Sequence, residues 1–344
     1  MATQGLRKNV PIGVGLFPIE PPHEVAQFAK LADDLGYSRI YVGDSQLIWR
    51  EAYITLAAIA LNTSRATIGP GVSNPLTRDL TVIASALATL DELSGERVFL
   101  GLGLGDSSVY TMGKRPSSVA QLERAIGVIR ELYSGKEATH DGAKVHLGYP
   151  REGKSLSILV AANGPRMLQM AGRCADGAIL PAGLFPEYFD YYLRHIQEGA
   201  AAAGRDLKLD KFKFVLWLPC SIHQDGQAAK DAVRSHVARV VKQDLPVKLP
   251  PDDQHIIDRI RTEYDYYEHM TVGTKHAELV PDTLVEKFAI AGTVSECRFQ
   301  LESALTYGPY INEVAIIPYA FDPDAKGRII RSFAEEVATA LAVK

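Results

Sequence analysis

Eight short apolar runs, each followed by a stretch of helical character, constrain this chain more than any other feature. Val10–Phe17, Ser38–Val42, Ala66–Val72, Arg97–Gly103, Ser157–Ala162, Gly177–Pro181, Phe212–Cys220 and Asn312–Pro318 have strand length and end at or beside Gly, Pro or small polar residues. Between them lie stretches such as Pro21–Leu35, Leu80–Leu93 and Val119–Tyr133, whose apolar residues recur at helical spacing. Strict alternation of strand and helix predicts a parallel sheet covered by helices, and eight units is the count of a (β/α)8 TIM barrel. A doubly wound sheet is the rival, but it has fewer strands and no linker divides this chain. The 344 residues are 47% apolar, and a single barrel domain takes roughly 250 residues or more. We therefore read residues 1–344 as one α/β barrel domain. Leu245–Leu279, which opens with prolines and holds one expected helix, is read as an insertion after strand seven. Asp322–Val343 is the expected final helix.

The bulk chemistry narrows the partners. The formal net charge is −4 with no basic stripe, which argues against nucleic acid. No run of about 18 apolar residues is present, so no membrane span is expected. Residues 1–13 lack the apolar core of a signal peptide, and three scattered cysteines fit a reducing, cytoplasmic setting. No CxxC or HExxH spacing occurs and the nine histidines do not cluster in sequence, so no metal site is expected.

In a barrel of this kind, chemistry gathers where the strands end. The stretch Ala66–Asp106 is a strand–helix–strand unit whose two strands both open into glycine-rich turns. Leu100–Asp106 (LGLGLGD) is not a dinucleotide fingerprint, because no helix begins directly after it and it lies on the fourth strand. Its glycines instead let a flat ring approach the backbone. Asp44 and Asp106, each just past a strand, are candidate proton carriers. Ala162–Met167 (ANGPRM) ends strand five and starts a helix, so its free N–H groups, Gly164 and the charge of Arg166 suit a phosphate. Phe17, Trp49 and His223 are candidate substrate contacts, whereas His23, His195 and His236 fall within helices and read as surface or packing residues. Tyr264–Met270 reads either as a lid or as an interface helix. With Ser107–Ser118, the insertion is read as the wall of a small-molecule pocket.

Together these stretches resemble the luciferase-like flavin and deazaflavin oxidoreductase superfamily. Leu90–Asp106 (LDELSGERVFLGLGLGD) is similar to its strand-four signature, with Glu96 where glycine is usual. Gly69–Arg78 and Val160–Leu180 resemble the methylenetetrahydromethanopterin reductase branch. The resemblance implies a homodimeric barrel that uses coenzyme F420, with FMN and an oxygen-using monooxygenase as the alternative. It implies that Ala162, Asn163, Gly164, Pro165, Arg166 and Met167 hold the cofactor's phosphate. Gly71 and Val72 would form a cis peptide behind the ring, flanked by Ser73 and Asn74. Gly103, Leu104 and Gly105 would line the ring, with Asp106 at its rim and Leu180 nearby. Sugar-phosphate dehydrogenases of this group carry His after the Asp at strand two; here Ser45 follows Asp44, which removes an imidazole base from that position and makes sugar-phosphate oxidation an unfitting activity.

Overall fold

The computed structural model describes residues 10–341 other than Ala182 and Pro323. The reading of residues 1–9, and that of Pro323 and residues 342–343 in the final helix, lies outside the described residues. Eight strands form around one axis: β1 (Ile12–Leu16), β2 (Arg39–Val42), β3 (Thr67–Pro70), β4 (Phe99–Leu102), β5 (Ser157–Ala161), β6 (Gly177–Leu180), β7 (Lys213–Ile222) and β8 (Glu313–Pro318). All pair in parallel, in the order β3-β2-β1-β8-β7-β6-β5-β4. Bridges from Ile68 to Val98 and from Ser73 to Leu102 join β3 to β4 and bring the ring nearly to closure. The expected (β/α)8 barrel is therefore the observed one.

The β3–β4 seam explains two of the glycines. A Cβ on Gly69 would lie 2.2 Å from the Phe99 carbonyl oxygen, and one on Gly101 2.2 Å from that of Pro70. Only glycine permits such backbone approach. The register then levels the strand ends: Leu16 pairs with Val42, Val42 with Pro70, Leu102 with Val160, and Ala161 with Ile179. Residues just past these positions share one rim. Helices pack outside the barrel through buried apolar positions, as Ile83, Ala84, Leu87 and Ala88 do in Leu80–Ser94. The helix Leu80–Ser94 is capped by the Asp79 carboxylate, which accepts the Thr81 N–H, and it ends at Gly95 with φ +70°. Glu96 follows in the same left-handed region, φ +68°. That is where the resemblance places a glycine, because side chains rarely adopt this backbone.

Several local features depart from the sequence expectation. Ala138–His140 pairs with Ala143–Val145 as a small antiparallel hairpin, and Ser107–Tyr110, in the stretch read as pocket wall, is a helical turn. Ile290–Gly292 is a short strand alongside the outer end of β7, with Ile290 opposite Cys220. The segment Leu245–Leu279 holds two helices, Pro251–Glu263 and Lys275–Glu278. The first stops before the tyrosines because the Asp265 carboxylate accepts the Tyr267 N–H, a local turn that competes with helix continuation. The final helix is regular only over Ala325–Ser332, then widens into a π turn at Phe333–Val337 and tightens into a 3-10 turn at Ala338–Leu341.

Candidate active site

A cavity of about 690 Å³ opens at the C-terminal ends of the strands. Its floor is Gly71–Asn74 past β3 and Gly103–Ser108 past β4, and the Gly71–Val72 peptide is cis, as the resemblance implied. Phe17 and Trp49 stack at 4.5 Å between ring centroids and close one side. Ala162, Asn163, Gly164 and Met167 line the side beyond β5. Fifteen sequence-selected residues thus meet in one cavity: Phe17, Asp44, Trp49, Gly71, Val72, Ser73, Asn74, Gly103, Leu104, Gly105, Asp106, Ala162, Asn163, Gly164 and Met167.

Four others lie off it. Pro165 and Arg166 are exposed and do not line the cavity. Leu180 is fully buried inside the sheet. His223 is exposed beyond the long outer end of β7, where its Nδ1 accepts the Asp225 N–H at 3.1 Å.

The start of the helix Pro165–Cys174 is open. No side chain caps it, and a Cβ built on Gly164 would meet nothing within 4 Å. Asn163 is fixed beside it: its Oδ1 accepts the Tyr192 hydroxyl at 2.9 Å and its Nδ2 donates to the Asp244 carbonyl at 3.3 Å. An unsatisfied helix N-terminus facing a large cavity favours an anion.

The two candidate carboxylates are both ion-paired. Asp44 has a side chain only 1% exposed; Arg78 donates to it at 3.0 Å and Ser73 Oγ at 2.6 Å. Arg78 reaches onward to Glu51. Asp106 faces Lys242 Nζ at 3.3 Å and Arg239 Nε at 3.4 Å. Burial pushes the Asp106 carboxyl upward, but Arg239 and Lys242 outweigh it and hold the group below the usual carboxylate range. Ser45 shares a hydrogen bond with Ser107 across 2.9 Å between hydroxyls.

The structure adds Arg239 and Lys242, which sequence reading did not select, brings His236, read as surface or packing, to the cavity, and makes Tyr264–Met270, read as a lid or an interface helix, a loop in its wall. His236, Arg239 and Lys242 come from the helix Gly226–Val241 and its end, and Tyr264, Tyr266 and His269 from the loop after Pro251–Glu263; all line the cavity. Spacing of three puts His236 and Arg239 on one helix face, a signal that does not say which way that face looks. Lys242 donates to Tyr266 Oη at 2.9 Å and lies over the rings of Tyr264 and Tyr266 at 4.5 and 4.3 Å. His269 Nδ1 is 2.6 Å from Tyr264 Oη, and its ring sits 5.8 Å from Trp49. Burial drives the His269 pKa down to about 3, with the nearby Asp106 charge only partly opposing it, so the imidazole is neutral. Away from the cavity, His140 Nε2 lies 2.9 Å from Asp79, and with Asp141 they bring three ligand-type atoms within 4.8 Å of one another near the surface.

Residues 4–308 match the luciferase-like monooxygenase family. The 5,10-methylenetetrahydromethanopterin reductase of Methanolobus tindarius is 30% identical over 304 residues, 86% of this chain and 91% of that protein. An F420-dependent glucose-6-phosphate dehydrogenase of Nakamurella multipartita is 29% identical over 262 residues, 70% of this chain and 77% of its own. The structure of the coenzyme F420 dependent tetrahydromethanopterin reductase of Methanopyrus kandleri superposes with a TM-score of 0.76 at 26% identity, covering 96% of this chain and 99% of that one. An F420-dependent secondary alcohol dehydrogenase shares the fold, with a TM-score of 0.77 at 19% identity over 98% of this chain and all of that one. The chain belongs to the luciferase-like monooxygenase family.

Proposed function

We propose that this protein is an F420-dependent oxidoreductase, moving hydride between the deazaflavin and a small organic substrate with a C=C, C=N or C=O bond. One observation carries the reading: the glycine floor at Gly71–Val72 and Gly103 leads directly to the uncapped, open helix end at Gly164. That is a shelf for a flat ring joined to a seat for a phosphate. The names of the sequence relatives, methylenetetrahydromethanopterin reductases and F420-dependent dehydrogenases, support the same cofactor. When bound, F420 supplies two-electron hydride chemistry.

The chain's own residues position and shield. Asn163, Gly164 and Met167 hold the phosphate. Val72, Gly103 and Leu104 back the ring, and Phe17 and Trp49 exclude water. In this reading Asp44 fixes Ser73 and Arg78, while Asp106 fixes Arg239 and Lys242; neither ion-paired carboxylate is the proton carrier. Tyr264 donates its hydroxyl proton to His269 Nδ1, so the imidazole keeps its own proton on Nε2 and offers it to a substrate carbonyl or imine. A preorganised neutral donor in a water-poor site stabilises charge as it develops there. The helices Ala52–Asn62 and Leu80–Ser94 expose Ile54, Leu61 and Val82, at 64, 71 and 54%, which supports a homodimer formed through this face.

Titrating the purified chain separately with F420 and FMN, following cofactor fluorescence, tests the reading. F420 binds in the micromolar range or tighter if it holds. Tight FMN binding with no F420 binding overturns it in favour of a flavin monooxygenase.

A further inference from the structure

One wall of the cavity carries hydrogen-bonding groups with nothing to bind. Among the described residues, Arg239 makes no side-chain hydrogen bond; its single close partner is Asp106 Oδ2, 3.4 Å from Nε. The two terminal amines of a guanidinium whose side chain is only 21% exposed are therefore unused. One turn earlier on the same helix, His236 is 1% exposed, and its Nε2 is buried without a partner. Its Nδ1 lies 2.9 Å from Tyr319 Oη. That hydroxyl has a proton to give, which leaves the imidazole proton on the orphaned Nε2. The other cations of the wall are engaged. Lys242 bonds Asp106 and Tyr266, and Arg261 donates to the carbonyls of Lys242 and Gln243. Arg239 and Lys242 face the one carboxylate of Asp106, so this corner holds one positive charge in excess.

His236 Nε2, buried and unpaired, costs free energy unless something completes it, and the Arg239 amines beside it stand open to the cavity. We infer that Arg239 and His236 form the docking point for an oxyanion on the substrate, a carboxylate or phosphoryl head, which fixes the rest of the molecule over the ring shelf. The guanidinium presents its terminal amines as a fork matched to two oxygens, His236 Nε2 supplies a further donor, and Asp106, 3.4 Å from Nε, is the counter-charge, its Oδ2 itself without a hydrogen bond. The inference names the substrate class for the F420 reading and rests on it for the reaction, though not for the binding.

Benzoate, phenylphosphonate and benzamide, which differ in the head group on a common ring, are titrated against the full chain. Binding is read by the fluorescence of bound F420 and, independently, by the melting temperature of the chain without F420. The expected result is that benzoate or phenylphosphonate binds at least tenfold more tightly than neutral benzamide, the tighter of the two naming the head group. R239M erases that preference, R239K retains part of it, and F420 affinity stays within twofold in both. Equal binding of charged and neutral probes, or a preference that survives R239M in a folded protein, overturns the inference. A tenfold loss of F420 affinity in R239M overturns it as well, by assigning the residue to the cofactor. Failure of F420 to bind the unaltered chain overturns only the cofactor reading, and the melting arm still decides the role of Arg239.

Discussion

Lys242 Nζ lies 3.3 Å from Asp106 Oδ1, and this contact ties the segment between β7 and β8 to the rim of β4. In D106N, Lys242 and Arg239 lose their counter-charge, and the expected loss of stability is roughly 2 kcal/mol, the range for hydrogen bonds to charged groups. Proteolysis within residues 245–279 speeds up accordingly. The sign with pH follows from the direction of the shift. The folded carboxyl titrates below its ordinary value of 3.8, so its contribution is present above that pH and fades as pH falls below it. D106N flattens this limb of the unfolding curve.

His269 gives a second, separable acid limb. Its folded pKa is about 3 against an ordinary 6.5, so below pH 6.5 the unfolded chain takes up the proton and the folded one does not. Stability falls as pH drops from 6.5 toward 3, by up to about 1.4 kcal/mol per pH unit for one such group. His236, depressed by burial and by Arg239, acts in the same direction. Melting temperatures between pH 4 and 8 show a shallower slope in H269Q than in the unaltered chain; identical slopes would exclude a buried neutral His269.

Gly164 separates cofactor binding from folding. A side chain there meets no neighbour and the backbone φ of −78° suits any residue, so G164D folds with an unchanged melting temperature. Its carboxylate sits at the helix start, where it competes with an incoming phosphate. F420 affinity drops at least tenfold, measured by fluorescence titration.

Gly101 should respond in the opposite way. G101A forces a methyl group against the Pro70 carbonyl and the Val72 side chain, and overpacking of this kind costs about 3 kcal/mol. Denaturant unfolding of G101A reads that loss directly. A neutral result would show that the β3–β4 seam can spread.

Sedimentation of the purified chain tests the dimer. The unaltered protein runs as a dimer, and L61E, which puts a charge at the centre of the exposed apolar face, runs as a folded monomer.

Most of the barrel was legible because strand ends announce themselves locally. Pro18, Gly43, Ser73 and Asn163 stop apolar runs in sequence and stand at the rim in space. Gly164 and the helix after it were readable for the same reason. Arg166 was not, because a charge next to a helix start carries no information about the direction in which its side chain leaves. His236 was read as packing within a helix; it is buried, but it also faces the cavity. Helical periodicity identifies a buried face without saying whether protein or ligand covers it. Tyr264–Met270 was singled out as a lid or an interface helix, but the meeting of His269 with Trp49 was not legible, because the two are far apart in sequence and the turn at Asp265 joins them in space.

The division of labour within the cavity has an evolutionary consequence. The floor and the open helix end at Gly164 belong to β3, β4 and β5, whose register against their neighbours leaves little freedom for substitution. His236, Arg239, Lys242, Tyr264, Tyr266 and His269 all belong to the single stretch of chain between β7 and β8. Under the proposed function, replacing that stretch would exchange the reactant recognised together with its proton donor while the shelf and the open helix end stayed intact, so descendants of this scaffold can diversify by loop exchange, without rebuilding the barrel.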